Sequence, residues 1–184
     1  MRRPVPAIVV LLGTALCACA PGAAREGGAG PGIRVVPSGG GADIFQQSDV
    51  RPIETVIFAP VDTAWRALTA AYEQLGIPLS TVDRNSYLLG NAAWAVQGRL
   101  GEERPARYFN CGANLTGELA NTARLRVNIF SQLTAHPDGA LLRTLAQATA
   151  SNPQGASGDA VLCRSTGSLE GWIGSSVRLR AIQR

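Results

Sequence analysis

The alternation between Thr122 and Ala135 constrains this chain most. Leu125, Val127, Ile129, Ser131 and Leu133 fall on one side of an extended backbone. Arg124, Arg126, Asn128, Gln132 and Thr134 fall on the other. Successive side chains of a strand point to opposite faces, so this period of two predicts a long strand with one wet face and one face in a core. His136-Pro137-Asp138-Gly139 follows with Pro at the second and Gly at the fourth position of a β-turn. The return strand is expected over roughly Ala140 to Ala150. A hairpin of this kind needs something apolar laid over its inner face.

The rest of the chain supplies candidates for that cover. Ile53, Val56, Ile57 and Phe58 suggest a first strand, and Pro60 with Asp62 suits the start of a helix. Val61, Trp65, Leu68, Tyr72 and Leu75 recur at helical spacing, and Gly76 stands where a left-handed residue ends a helix. Ile77 to Val82 and Tyr87 to Val96 read as strands joined by a turn at Asp83–Ser86, with Gly90 marking a bulge or a close approach. Gly98 to Arg107 reads as an exposed loop, and Tyr108 to Ala113 as a short strand. Ser151 to Ala160 reads as a second loop. Leu169, Trp172, Ile173, Val177 and Ala181 form the stripe of a last helix, in which Gly171 and Gly174 permit close packing. The expected fold is α+β: an antiparallel sheet of about five strands, order β-α-β-β-(β)-β-β-α, with a long helix and a C-terminal helix on one face.

The first nineteen residues have a different logic. Arg2 and Arg3 precede an apolar run from Val5 to Leu16. That run is about a dozen residues, a signal-peptide core rather than the ~20 of a membrane span. Leu16-Cys17-Ala18-Cys19 resembles the lipobox of bacterial lipoproteins, with Cys19 as the acylated residue. A competing frame ends at Cys17 but sets bulky Leu16 at the cleavage position. The resemblance implies a signal peptide over 1–18 and a palmitate-bearing lipid anchor in the cell envelope. Ala20, in place of Asp after the anchor, implies the outer membrane facing the periplasm. Residues 19–50 are rich in Gly, Ala and Pro and read as a tether, leaving 51–184 as one domain.

Cysteine parity bears on both ends of the chain. A cut before Cys19 removes Cys17 and leaves Cys111 and Cys163 as an even pair in an oxidising compartment. A disulfide between them closes about fifty residues, worth roughly 4 kcal/mol in the chain-entropy description. The alternatives for the pair are a metal site or a reactive thiol, and His136 is the one histidine available to either. No metal and no cofactor is expected. The formal charge of +4 falls by two when Arg2 and Arg3 leave, too little to argue for nucleic acid.

Pro60-Val61-Asp62-Thr63-Ala64-Trp65, then Leu68, Leu75-Gly76-Ile77, Asp83-Arg84 and Gly90, look like a domain of the BamC (NlpB) lipoproteins of the β-barrel assembly machinery. The likeness covers about forty residues. It implies a helix-grip arrangement and an envelope protein partner, with the membrane reached through the lipid. That family carries two such domains where this chain has room for one.

Four sets of residues are candidates for a site. Arg124, Arg126 and Arg143 form a possible patch for an anion or acidic partner, against the plainer reading of a solvated face. Trp65, Leu68 and Tyr72 could line an apolar groove between helix and sheet, against plain core packing. Grip folds that hold apolar ligands there make a carrier or sensor the alternative to an interaction module. Glu102, Glu103 and Glu118 could do acid–base work if one were buried. Ser165, Thr166 and Ser168 could suggest a nucleophile but better suit capping of the last helix. An enzyme is not expected. The principal expectation is a non-catalytic, lipid-anchored module that contacts other envelope proteins.

Overall fold

A computed structural model of the chain describes residues 50–151 and 160–183. The expected signal peptide, Cys17, Cys19 and the tether up to residue 49 lie outside the described residues.

The fold is α+β. Strand β1 (Ile53–Ile57) leads to helix α1 (Val61–Gln74), followed by β2 (Thr81–Asp83) and β3 (Leu88–Val96). A 3-10 turn (Pro105–Arg107) precedes β4 (Phe109–Asn110), the small hairpin β5 (Ala113–Asn114) and β6 (Gly117–Glu118), and the single turn α2 (Leu119–Thr122). Then come β7 (Arg124–His136), β8 (Gly139–Ser151), β9 (Ala160–Ser165) and helix α3 (Ser168–Ile182). The main sheet runs β2-β3-β7-β8-β9-β4, and β1 also pairs with β8. All these pairings are antiparallel.

The central hairpin is the long alternating segment and its return. Thirteen residue pairs join β7 to β8, from Arg124 with Ser151 to His136 with Gly139. On the edge of β8 away from β7, two strands lie end to end: β1 takes Ala140–Thr144 and β9 takes Ala148–Ser151. The sheet is therefore wider than the expected five strands. Strand β9 occupies residues expected to end a loop and begin the last helix. Its pattern is exposed apart from Cys163 and Ser165, so it shows little of the alternation that marks a half-buried strand.

Leu125, Val127, Ile129, Ser131 and Leu133 are all buried, as the alternation requires. Both helices meet each other and β8 on that face. The wet face has an apolar exception: Phe130, Leu145 and Leu88 are buried there, with Val50 and Ala92 packed beside them. Phe130 is paired across the strands with Gly90. A Cβ on Gly90 would stand 2.2 Å from the Ile129 carbonyl oxygen and 2.5 Å from the Phe130 ring, so only glycine fits under that ring. The expected bulge is also present, as a register shift between Asn91 and Trp94.

Helix α1 ends as its sequence indicates. Gly76 has φ +65°, its N–H bonds the Glu73 carbonyl and the Ile77 N–H bonds the Tyr72 carbonyl. These two bonds satisfy carbonyls that a helix end leaves open. Helix α3 begins differently from expectation. Gly167 holds the N-cap position with no side-chain cap. Ser165 and Thr166 instead accept from the N–H groups of Gly167 and Ser168, bending the chain into the helix. Gly174 lies against Thr55, whereas Gly171 faces open space.

Candidate functional site

Cys111 and Cys163 form a disulfide across a sequence separation of 52. Cys163 lies in β9 and Cys111 directly follows β4, whose two residues pair with Ser165 and Arg164. The bond therefore ties the outer strand pair together rather than reaching the last helix. Both half-cystines are buried.

The Trp65, Leu68 and Tyr72 positions are core. Leu68 and Tyr72 are fully buried and Trp65 nearly so, and none of them lines a cavity found among the described residues. The plainer reading, core packing, holds for these three side chains, which fill the space a groove would occupy. Trp65 meets Tyr87 edge-on at 5.8 Å, and the Arg84 guanidinium lies over both rings. Arg84 and the Tyr87 hydroxyl both donate to Asp62 Oδ1. Asp83 closes the adjacent turn by accepting from the Asn85 and Ser86 N–H groups and the Ser86 hydroxyl, and those bonds hold its carboxyl below the usual range. Asp62, Trp65, Arg84 and Tyr87 thus clasp the start of α1 to the β2–β3 turn, which is a structural task.

A polar chain runs through the core. The Tyr72 hydroxyl hydrogen-bonds Ser131 at 2.9 Å, and Ser131 hydrogen-bonds Thr144 at 2.9 Å. Burial pushes the Tyr72 phenol well above its ordinary value, and the nearby Glu170 charge adds to the shift. Glu170, in the first turn of α3, is buried with no cationic partner among the described residues. Burial raises its carboxyl, opposed by the Ser165 hydroxyl, which donates to both oxygens at 2.7 and 3.0 Å. The sequence reading passed over Glu170. One signal was present: an acid three residues past Gly167, the place where carboxylates favour a helix start.

The other candidate groups are dispersed. Glu102 and Glu103 are exposed on the rim of a groove of about 470 Å³ that also touches Tyr108, Ser168 and Trp172. Glu103 pairs with Arg107 at 3.2 Å, and Glu118 accepts from Asn121 elsewhere. His136, expected in a turn, is the last residue of β7 and accepts from the Asp138 N–H. Among the described residues no three His, Cys, Asp or Glu side chains converge to hold a metal.

The arginine patch divides. Arg143 is bound to Glu54 at 2.9 Å and is opposite Gln132. Thr149, opposite Arg126, is six residues further along β8, about 20 Å away. Arg124 and Arg126 lie at that far end, where they line an open depression of about 650 Å³. Leu125 lies between them, and the other walls are small: Ala93, Ala95, Thr149, Ser151 and Ala160. Arg164 joins this end of the face, because it follows inward-facing Cys163 along β9. No family model, curated protein or solved structure matches this chain.

Proposed function

We propose that this chain is a lipid-anchored, non-catalytic lipoprotein of the cell envelope, held at the outer membrane and facing the periplasm, whose α+β domain contacts other envelope proteins. The Cys111–Cys163 disulfide carries the reading. Such bonds persist in oxidising compartments, and this one accounts for both cysteines of the domain. With Cys17 removed alongside the signal, Cys19 is the thiol left over for acylation. The lipobox-like run from Leu16 to Cys19 supports the same assignment. The filled helix–sheet interface at Leu68 and Tyr72 favours an interaction module over a carrier of apolar ligands.

The anchor is tested in cells by Cys19→Ser. The variant should leave the membrane fraction and lose labelling by a palmitate analogue. Continued labelling rejects Cys19 as the acylated residue. In-cell crosslinking of the native protein should then capture a discrete envelope protein. Recovery of monomer alone, at crosslinker doses that trap known envelope assemblies, counts against the interaction module.

A further inference from the structure

On a sheet face, relief is set by side-chain size. At the β7 end that begins with Arg124, one row across the strands reads Ala95, Arg126, Thr149 and Leu162. The next reads Arg124, Ser151 and Ala160. Arg124 and Arg126 are two residues apart on one strand, so their Cβ atoms are about 7 Å from each other. Small neighbours flank both, and among the described residues neither guanidinium is held by a hydrogen bond or ion pair. Arg164 is likewise exposed, and unpaired among the described residues. Among the described residues the Thr149 hydroxyl has no partner either, whereas the Ser151 hydroxyl donates to the Arg124 carbonyl.

Two guanidiniums at this spacing bracket a tetrahedral oxyanion, which accepts a charge-assisted hydrogen bond from each. The rim is apolar as well as cationic. Leu162, in the row of Arg126 and Thr149, is 46% exposed. Arginine beside an exposed aliphatic side chain suits a lipid surface, where phosphate lies directly above acyl chain.

We propose that this end of the sheet's outer face is an anionic-phospholipid site. Arg124 and Arg126 take a headgroup phosphate in the depression, Arg164 takes a neighbouring one, and Leu162 enters the interfacial layer. The inference rests on the envelope reading above and gives its domain a second membrane contact besides the lipid.

The test uses the processed chain from residue 19 onward with Cys19→Ser, so that no acyl chain contributes. It should float with vesicles containing phosphatidylglycerol and not with pure phosphatidylcholine, and the binding should fall as salt rises. Each arginine near an anionic surface contributes about a fivefold factor, so Arg124→Ala with Arg126→Ala should weaken partitioning about 25-fold. Arg66→Ala with Arg178→Ala, two exposed arginines on helices α1 and α3, which cover the opposite face of the sheet, should leave it unchanged. Equal melting temperatures for all forms show that the fold is intact. Vesicle binding that the Arg124/Arg126 variant retains overturns the site. Inorganic phosphate bound at Arg124 and Arg126 without vesicle binding overturns the lipid and leaves a soluble oxyanion. Loss of vesicle binding with normal labelling of Cys19 in cells sinks this inference alone. Failed labelling with intact vesicle binding sinks the anchor alone.

Discussion

Replacing both half-cystines, Cys111→Ala with Cys163→Ala, gives the most quantitative test of how this domain is held together. The bond closes a loop set by a separation of 52 residues. In the chain-entropy description that closure is worth about 4 kcal/mol at 25 °C. For a domain of roughly 130 residues the loss converts to a fall in Tm of about 15 °C. The effect should arise in the unfolded chain, because β4 has other attachments. Phe109 is fully buried, and the Thr166 hydroxyl donates to the Arg107 carbonyl, while the Thr166 N–H donates to the Tyr108 carbonyl. Urea unfolding should therefore give a lower midpoint and a steeper dependence on denaturant, since the freed chain exposes more surface. Amide exchange at Asn110 and Arg164 should remain as slow, relative to global unfolding, as in the parent. A loss below about 1 kcal/mol would refute the entropic account. Fast exchange confined to β4 would also refute it, by showing that the disulfide acts on the native edge instead.

Two further perturbations probe the interior. Glu170→Gln keeps an acceptor for Ser165 and removes a buried charge, so it should stabilise the domain at neutral pH. Because the folded carboxyl is raised above its unfolded value, the parent is favoured below the ordinary carboxylate range and loses that advantage as pH rises through the raised value. The gap between variant and parent in urea midpoint should thus widen from about pH 4 to pH 8, and a constant gap would contradict the burial argument. Gly90→Ala forces a methyl against the Ile129 carbonyl and the Phe130 ring; it should cost about 1–3 kcal/mol in urea unfolding, and a neutral result would show that β3 and β7 part easily there.

Legibility followed the strength of local patterning. The hairpin and α1 were readable because their apolar residues recur at two and at about 3.6 residues, periods that a backbone imposes on any half-buried element. Strand β9 was not, since only Cys163 and Ser165 within it turn from solvent. The site candidates suffered for a related reason. Arg124, Arg126 and Arg143 share one face by alternation, yet alternation carries no information about distance along the hairpin. The register places Arg143 opposite Gln132, beside the Glu54 of β1, a pairing between segments 89 residues apart. Trp65, Leu68 and Tyr72 look the same in sequence whether a groove between helix and sheet is open or filled.

The amino-acid sequence by itself determined the α+β class, the central hairpin, the left-handed exit of α1 at Gly76 and the pairing of Cys111 with Cys163. Each follows from spacing, from the backbone freedom of one residue or from cysteine parity. Tertiary structure alone decided that β1 and β9 share one edge of β8, that Glu170 is buried beside the Tyr72–Ser131–Thr144 chain, and that Arg124 and Arg126, unpaired among the described residues, line one depression. These depend on which distant segments meet, and that is set by the burial of the whole apolar face at once.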